Sequence, residues 1–486
     1  MSPYLVFTVV VLYFSLLLFI SFLTSKNRNT ATFFNANKSA PWYLVAFGMI
    51  GASLSGVTFI SVPGWVRTSN FSYFQMVLGY LVGYAAIAFV LLPIYYKLNL
   101  TSIYKYLDTR FSKSAYKTGS AFFLISRTIG AAFRLYLVAI VLQIAFFDAF
   151  KIPFAVTVIT TIIMIWLYTH RAGIKTIVWT DTLQTTFLIL AVIISIVIIG
   201  KDLNLDTKAL FNTVVNHDYS KIFFWDWHDK HFFFKDFLSG AFIAFVMTGL
   251  DQDMMQKNLT VKTLKESQKN MIWMSISLVP VNLLFLSLGV LLYVYAGVHN
   301  VPIPERSDYL FPLLAIHHFG TIAGIVFLLG IIAAAFSSAD SAITALTTAF
   351  AIDFLNFDIK KDDKSTKSKK TLIHLGVSVT LLIVILLFKA LNKESVISQI
   401  FTFAGYTYGP LLGLFLFGII SKRKVKGLVI PIIAILSPIL TFLIKFFVQK
   451  YTSYVFGFEL LILNGFITYI GLLIASKSEN DLSLSN

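Results

Sequence analysis

One apolar stretch of the chain, residues 332–348, carries a carboxylate and an unusual number of hydroxyl groups. Its polar side chains are Ser337, Ser338, Asp340, Ser341, Thr344, Thr347 and Thr348. A carboxylate at bilayer depth is costly unless it faces protein, water or a cation, and small hard cations prefer several oxygen ligands. In a helix, Ser337, Ser338 and Ser341 fall within little more than one turn. The stretch predicts a cation site, although close helix packing through small residues would by itself explain the hydroxyl groups.

A second apolar stretch, residues 48–64, combines hydroxyl groups with residues that interrupt helices. The helix-breaking residues are Gly51, Gly56, Pro63 and Gly64, and the hydroxyl residues are Ser53, Ser55 and Thr58. Carbonyl groups freed at membrane depth are tolerated where they line protein or water. Unwound backbone of this kind binds Na+ near the midplane of transporters with inverted repeats. The pattern favours an ion or solute site over a kink that serves packing alone.

Charged residues occur in three further apolar stretches. Asp181 begins one and Asp251 ends another, whereas Arg127 and Arg134 lie seven residues apart, and hence on one helical face, in a third. Buried arginines in a bilayer face a polar interior or an anion, so both are candidate solute contacts. The alternative for Asp181 is that it reaches the membrane interface.

The composition predicts that membrane helices position these groups. The chain has 486 residues, of which 57% are hydrophobic and 13% charged, and its mean hydropathy is +0.80; these values are typical of polytopic membrane proteins. The absence of cysteine excludes disulfides and thiolate chemistry. The net charge of +16 lies mostly in short connections between apolar stretches, as in the positive-inside pattern. We therefore expect membrane lipid and a small solute as partners, no nucleic acid, and a monomer.

Windows of about 20 apolar residues predict an all-α fold with thirteen spans. They cover residues 3–24, 42–62, 74–96, 116–148, 152–170, 177–200, 234–256, 271–297, 319–354, 371–390, 396–421, 426–448 and 452–476. Basic residues concentrate in alternate connections, which predicts an inner-membrane protein with its N-terminus outside and a cytoplasmic tail over 477–486. Residues 358–370 are expected to form a charged, mobile inner linker. The aromatic segment 223–237 is interpreted as an interfacial anchor or, alternatively, an outer lid.

Motifs for nucleotide or hydrolase chemistry are missing from the sequence. It contains no G-x-G-x-x-G, Walker-type P-loop or G-x-S-x-G, and no connection between spans is long enough for a soluble catalytic domain. We expect no enzyme activity, and transport driven by an ion gradient is favoured over primary pumping.

Several local motifs occur together between about residue 24 and the basic cluster 422–426. They are Thr58-Phe-x-Ser-x-Pro63, Pro93-Ile-Tyr95, Thr101-Ser-x-Tyr-x-Tyr-Leu-x-x-Arg-Phe111, Trp179-Thr-Asp181, Asp253-x-x-Gln-Lys257 and Ala334-x-x-Ser-Ser338. Jointly they resemble the sodium:solute symporter family of bacterial sialic acid, proline and galactose transporters and human sodium–glucose cotransporters. The resemblance implies a single domain with the leucine-transporter fold, in which five helices over 42–200 are followed by an inverted copy over 234–421. One helix, 3–24, would precede the repeats, and two within 426–476 would follow them.

The same resemblance implies one or two Na+ ions. The family's conserved sodium site corresponds to carbonyl groups of Gly51, Leu54 and Ala334 and hydroxyl groups of Ser337 and Ser338. A second site, found in some members, looks like Asp181, Ser338, Asp340 and Ser341. Because Asp340 stands where sialic acid transporters have serine, it would either strengthen cation binding or accept a proton.

Candidate solute contacts resemble the family less closely. The positions that carry a glutamine and an arginine in sialic acid transporters align with Val77 and Gly130, so Arg127 or Arg134 would take the arginine's role. The candidate contacts are Ser55, Thr58, Phe59, Gln75, Arg127, Arg134, Asp251, Gln252 and Thr402. Hydroxyl, amide and ring groups of this kind suit a polyhydroxylated ligand, with an arginine available for an acid.

The sequence is therefore interpreted as that of a Na+-coupled symporter that imports a small polar organic solute by alternating access. A sugar or sialic-acid-like solute is favoured over an amino acid or another small carboxylate. Proton coupling through Asp340 and Asp181 is an alternative, and a membrane sensor that keeps the fold without transport is another.

Overall fold

The computed structural model describes residues 3–24, 38–100, 102–169, 174–357, 364–391 and 396–477. Most of them are helical, as expected where backbone groups must pair within the segment. The helices are α1 (Pro3–Thr24), α2 (Trp42–Ser69), α3 (Tyr73–Lys97), α4 (Lys105–Arg110), α5 (Lys113–Ala145), α6 (Phe154–Thr169), α7 (Ile174–Asp202), α8 (Thr207–Val215), α9 (Phe233–Gly249), α10 (Gln252–Asn258), α11 (Leu264–Val298), α12 (Leu310–His317), α13 (Gly320–Phe354), α14 (Lys364–Leu391), α15 (Val396–Thr407), α16 (Gly409–Ile420), α17 (Val429–Tyr451) and α18 (Leu460–Ala475). Strands β1 (Lys424–Val425) and β2 (Ser476–Lys477) form a short antiparallel pair.

The helices confirm a polytopic all-helical protein. Among the described residues, nine helices are long and apolar enough to cross a membrane. Two helix pairs pass the same test but are bent, α9 with α10 by 71° and α15 with α16 by 47°, and α6 and α18 are shorter apolar helices. The count of thirteen crossings stays a prediction.

Several predicted boundaries differ from the structure or lie outside it. Helix α2 continues beyond residue 62, where the predicted second span ended, to Ser69. The predicted mobile linker 358–370 is too long, because residues 364–370 already belong to α14. Its first half and nearly all of the predicted cytoplasmic tail 477–486 lie outside the described residues.

Helix α2 lies at the centre of the bundle, where it packs against α5, α7, α11 and α13. Small and apolar residues occur around its whole circumference, and most of its side chains are buried, as expected of a helix with no solvent-facing side. Helix α17, in contrast, exposes apolar side chains such as Ile439 and Phe442, which suits contact with lipid. The polar groups predicted to do chemistry therefore lie in the bundle interior.

Helices α3 and α9 approach each other closely through glycines. A Cβ atom added at Gly240 would lie 2.8 Å from both the carbonyl carbon and the Cα of Met76, and one added at Gly79 would meet the backbone at Phe237. Small residues of this kind let membrane helices pack backbone against backbone.

Gly240→Val is expected to destabilise the protein by about 1–3 kcal/mol, because the added side chain overpacks a contact with rigid backbone. The measurement is the melting temperature of the detergent-solubilised protein. Gly376→Val is the matched control, since a Cβ at Gly376 meets nothing within 4 Å, and it should melt like the wild type. Equal melting temperatures for the two variants would contradict this packing.

Candidate ion and solute site

Helix α2 is broken in the middle of the bundle at Ser55. This buried residue has φ 50° and ψ 176°, a conformation that residues other than glycine rarely adopt. Its Oγ accepts a hydrogen bond from the Val57 amide at 3.4 Å. Gly51 and Leu54, whose carbonyl groups are the predicted sodium ligands, belong to the turn just before Ser55.

The position of the break differs from the prediction, which assigned it to glycines and Pro63. Pro63 lies inside the helical segment that follows the break, and the glycines serve close packing. A Cβ at Gly51 would lie 3.0 Å from the Cβ of Thr185 in α7, and the Gly64 carbonyl accepts a 2.5 Å hydrogen bond from Tyr293 Oη in α11. The irregular backbone thus occurs at a serine, whereas the glycines occupy close contacts with neighbouring helices.

The hydroxyl groups of α13 meet α7 beside this break. Ser337 Oγ donates a hydrogen bond to Asp181 Oδ1 at 2.5 Å, and Ser338 Oγ donates to the Ala334 carbonyl at 3.2 Å. A hydroxyl that donates its proton keeps its lone pairs for a cation. Helix α2 packs against both helices, and a Cβ at Gly48 would lie only 3.0 Å from Asp181 Cβ. The groups predicted for the conserved sodium site thus come from helices in contact, and their oxygen chemistry fits Na+.

The remaining groups of the predicted second sodium site are also buried. Asp181 Oδ2 lies 2.8 Å from Nζ of Lys257 in α10, and both side chains are 1% exposed. Asp340 is fully buried, and its Oδ1 accepts hydrogen bonds from Ser341 N at 2.5 Å and Ser341 Oγ at 3.2 Å. The predicted carboxylates therefore lie in the core, and Asp181 is paired with a lysine instead of reaching the membrane interface.

The break between α9 and α10 is held by groups from α3 and from the connection before α4. Tyr95 Oη donates to the Gly249 carbonyl, and Tyr104 Oη donates to the Leu250 carbonyl, both at 2.8 Å. Gln252 Oε1 accepts from the Ile103 amide at 2.9 Å, and Asp251 Oδ1 accepts from the amides at the start of α10. Asp251 and Gln252, which the sequence assigned to the solute, thus stabilise this break and do not line the cavity described below.

The two arginines of α5 have different surroundings. Arg127 forms ion pairs with Asp253 and, at 3.6 Å, with Asp251, whose Oδ2 also accepts a 2.8 Å hydrogen bond from Tyr408 Oη. Arg134 forms no ion pair within the described part of the chain, and its buried Nε has no hydrogen-bond partner there. Of these two arginines, Arg134 is therefore the one without an ion pair among the described residues.

A small cavity of about 80 Å³ lies beside the α2 break. Its polar lining comes from α2, α3, α5, α9 and α11, and consists of Ser53, Ser55, Thr58, Tyr73, Tyr80, Tyr84, Arg127, Arg134, Thr248 and Asn282. Of the predicted solute contacts, the structure brings together Ser55, Thr58, Arg127 and Arg134 here.

Three other predicted solute contacts lie elsewhere. Phe59 is fully buried against Phe285, Phe311 and Phe327. Thr402 lies on α15 and does not line the cavity. The amide of Gln75 is used for protein contacts, since Nε2 donates to Asp236 at 3.2 Å and to the His231 carbonyl at 2.9 Å.

Sequence reasoning missed several polar groups of the cavity. Tyr73 and Tyr80 lie seven residues apart on α3, with Tyr84 one turn further, so their common face was a signal available in the sequence. Thr248 and Asn282 have no such signal, because a single polar residue in an apolar span does not reveal which way it points.

The aromatic segment 223–237 contacts the start of α3 and the last turns of α2. Gln75 Oε1 accepts a 3.1 Å hydrogen bond from the Phe224 amide, and the ring of His231 lies 5.8 Å from that of Trp65. Trp225 and Trp227 of this segment are 63% and 60% exposed. One side of the segment thus contacts the bundle, as a lid would, whereas its tryptophans are free to anchor at an interface.

Comparison with known proteins shows what this arrangement is similar to. A family model for the sodium:solute symporter family matches residues 33–434. The chain is 25% identical over 475 residues to the sodium/sialic acid symporter NanT of Aliivibrio fischeri, covering 94% of this chain and 90% of the relative. It is 24% identical over 452 residues to the sodium/sialic acid symporter SiaT of Proteus mirabilis, covering 87% of each.

A solved structure shares the fold. It is a substrate-bound, outward-open Na+-coupled sialic acid symporter, which matches with a TM-score of 0.81 at 20% identity and covers 97% of this chain and 98% of its own. Since the family model spans most of the sequence, the protein belongs to the sodium:solute symporter family.

Proposed function

We propose that this protein is a Na+-coupled symporter that imports a small, hydroxyl-rich organic acid of the sialic acid type. The observation that carries the proposal is Arg134, a guanidinium without an ion pair among the described residues, in a cavity lined by hydroxyl groups. Arg134 is half-buried with a buried Nε, and a guanidinium removed from water in this way is stabilised when an opposite charge reaches it. A carboxylate suits the planar guanidinium best, because it accepts two parallel hydrogen bonds.

The rest of the cavity suits the remainder of such a solute. Ser55, Thr58 and Thr248 offer hydroxyl groups and Asn282 offers an amide, which can bind sugar hydroxyl groups, while Tyr73 and Phe401 offer ring faces. The two sialic acid symporters to which the chain is similar along most of its length support the same solute class.

Sodium would bind where the broken α2 meets α13. The proposed ligands are the carbonyl groups of Gly51, Leu54 and Ala334 and the hydroxyl groups of Ser337 and Ser338. Because these groups belong to two helices, a bound ion would hold the helices together and favour one of the alternating states. A membrane potential, negative inside, contributes about 2.3 kcal/mol per charge per 100 mV to accumulation.

The proposed membrane arrangement follows the family pattern. Five helices over 42–200 and an inverted copy over 234–421 would form the moving halves in the inner membrane, with the N-terminus outside. The breaks at Ser55 in α2 and between α9 and α10 occur in the first helix of each proposed repeat, which supports this division.

Combined Ser337→Ala and Ser338→Ala substitutions are expected to raise the half-saturating Na+ concentration by about tenfold, equivalent to about 1.4 kcal/mol. Each substitution removes a hydroxyl ligand, while alanine fits the same space. The measurements are Na+-dependent sialic acid uptake into proteoliposomes and Na+-induced thermal stabilisation. Ser195→Ala is the matched control, since Ser195 is also buried and donates to a carbonyl four residues before it, at 2.7 Å. Wild-type Na+ dependence in the double variant would exclude this site.

Arg134→Ala is expected to weaken binding of N-acetylneuraminic acid by about 2–5 kcal/mol, because the carboxylate loses a buried charge partner. The variant should fold normally, since it removes an unpaired charge. Calorimetry in saturating Na+ measures the loss, with melting temperature as the test of folding.

Arg127→Ala provides the contrasting variant for that experiment. It leaves Asp251 and Asp253 without their ion-pair partner, which should cost about 3–5 kcal/mol of stability. Undiminished sialic acid binding by Arg134→Ala, with binding of a neutral sugar in the same cavity, would contradict the acidic solute while leaving Na+ coupling in place.

A further inference from the structure

Asp181, one of the two carboxylates assigned to a second sodium site, is already neutralised by the protein. Lys257 Nζ lies 2.8 Å from Asp181 Oδ2, with 1% exposure on each side, and Asp181 Oδ1 accepts the 2.5 Å hydrogen bond from Ser337. Each carboxylate oxygen thus faces a donor from a different helix. The lysine supplies the positive charge that a bound cation would otherwise bring.

The hydroxyl groups of that predicted site donate within the protein and keep their lone pairs, so the charge at Asp181 decides whether a second ion fits. Ser338 Oγ donates to the Ala334 carbonyl and Ser341 Oγ donates to Asp340, both at 3.2 Å. A Na+ ion at Asp181 would have to lie next to a buried ammonium group. Two like charges a few ångströms apart repel strongly where the dielectric constant is low. The residues therefore do not fit a second Na+ while Lys257 is in place.

Lys257 is held at this position by its helix. Asp251 accepts hydrogen bonds from the Asp253 and Met254 amides and so fixes the start of α10. At its end, the Thr260 amide and hydroxyl donate to the Lys257 carbonyl at 3.1 and 2.6 Å. Helix α10 packs against α2, α7 and α13, and Asp253 and Asp340 also attract the ammonium electrostatically.

We propose that Lys257 is a tethered cation that takes the place of a second sodium ion, so that solute is coupled to one Na+. The inference rests on the proposed Na+ coupling and assigns its stoichiometry. The single ion would bind at the conserved site, whose Ser337 donates its proton to Asp181 and presents lone pairs to the ion. Lys257 would thus act on the ion only through Asp181 and Ser337.

The first test uses the wild-type protein in proteoliposomes. The ratio of Na+ to N-acetylneuraminic acid, measured from the reversal potential of coupled flux, is expected to be about one. The Hill coefficient of Na+-induced thermal stabilisation, which needs no solute, should also be about one, because it cannot exceed the number of sites. A ratio of two would overturn this inference and leave the symporter proposal intact. Absence of any Na+ effect would overturn both.

The second test removes the tethered charge by Lys257→Met, which keeps a long apolar side chain. Asp181 is then free, and the Hill coefficient of Na+ stabilisation should rise from about one to about two. Adding Asp181→Asn should return the coefficient to about one, because the carboxylate released by Lys257→Met is then removed as well. A folded Lys257→Met protein with a coefficient of one would contradict the proposal.

Asp181→Asn alone keeps the proposal testable if Lys257→Met does not fold. This variant leaves Lys257 in place and should retain one Na+ per solute. A fall in the flux ratio relative to wild type would show that Asp181 binds an ion in the native protein, and would overturn the inference.

Discussion

Charge buried in a low-dielectric interior must be paired, and this requirement determines how the helices at the centre of the bundle meet. Lys257 of α10 pairs with Asp181 of α7, whereas Arg127 of α5 pairs with Asp251 and Asp253 at the start of α10. Breaking a buried pair costs about 3–5 kcal/mol, because one charge is left without a partner. The short helix α10 is therefore fixed between α5 and α7, and the solute cavity and proposed ion site form around it.

The two helix breaks add a second requirement, since backbone groups freed inside a membrane protein also need partners. At the α9–α10 break the protein supplies them, because Tyr95 and Tyr104 donate to the freed carbonyl groups. At the α2 break, the carbonyl groups of Gly51 and Leu54 are proposed to bind an ion together with hydroxyl groups of α13. The α9–α10 break is thus held by the protein itself, whereas the α2 break is the one that we propose supplies oxygen ligands to a small cation.

Periodicity and residue type predicted the chemistry of the site better than its geometry. The serines of α13 and Asp181 were expected together, and Ser337 does contact Asp181. Phe59 and Gln75 were predicted to contact the solute, but they lie away from the cavity. The sequence could not show this, because a span that is apolar on all sides does not reveal which face of the helix points to the cavity. Lys257 falls just outside the predicted span 234–256, but it is buried. Its partner lies 76 residues away in sequence (257 − 181), and spacing within one span carries no information about such a contact.

The α2 break also suggests how ion and solute would act on each other. The Leu54 carbonyl is a proposed sodium ligand, and Ser55, the next residue, lines the solute cavity. Ser55 already adopts a positive φ, which costs about 1–3 kcal/mol unless the surroundings enforce it. An ion that holds the Leu54 carbonyl would restrict the same backbone unit that orients the Ser55 side chain. Because coupling between two ligands is reciprocal, a solute that orders Ser55 would raise sodium affinity to the same extent. The proposed coupling between sodium and solute thus needs no long chain of contacts, since the peptide bond between Leu54 and Ser55 belongs to both proposed sites.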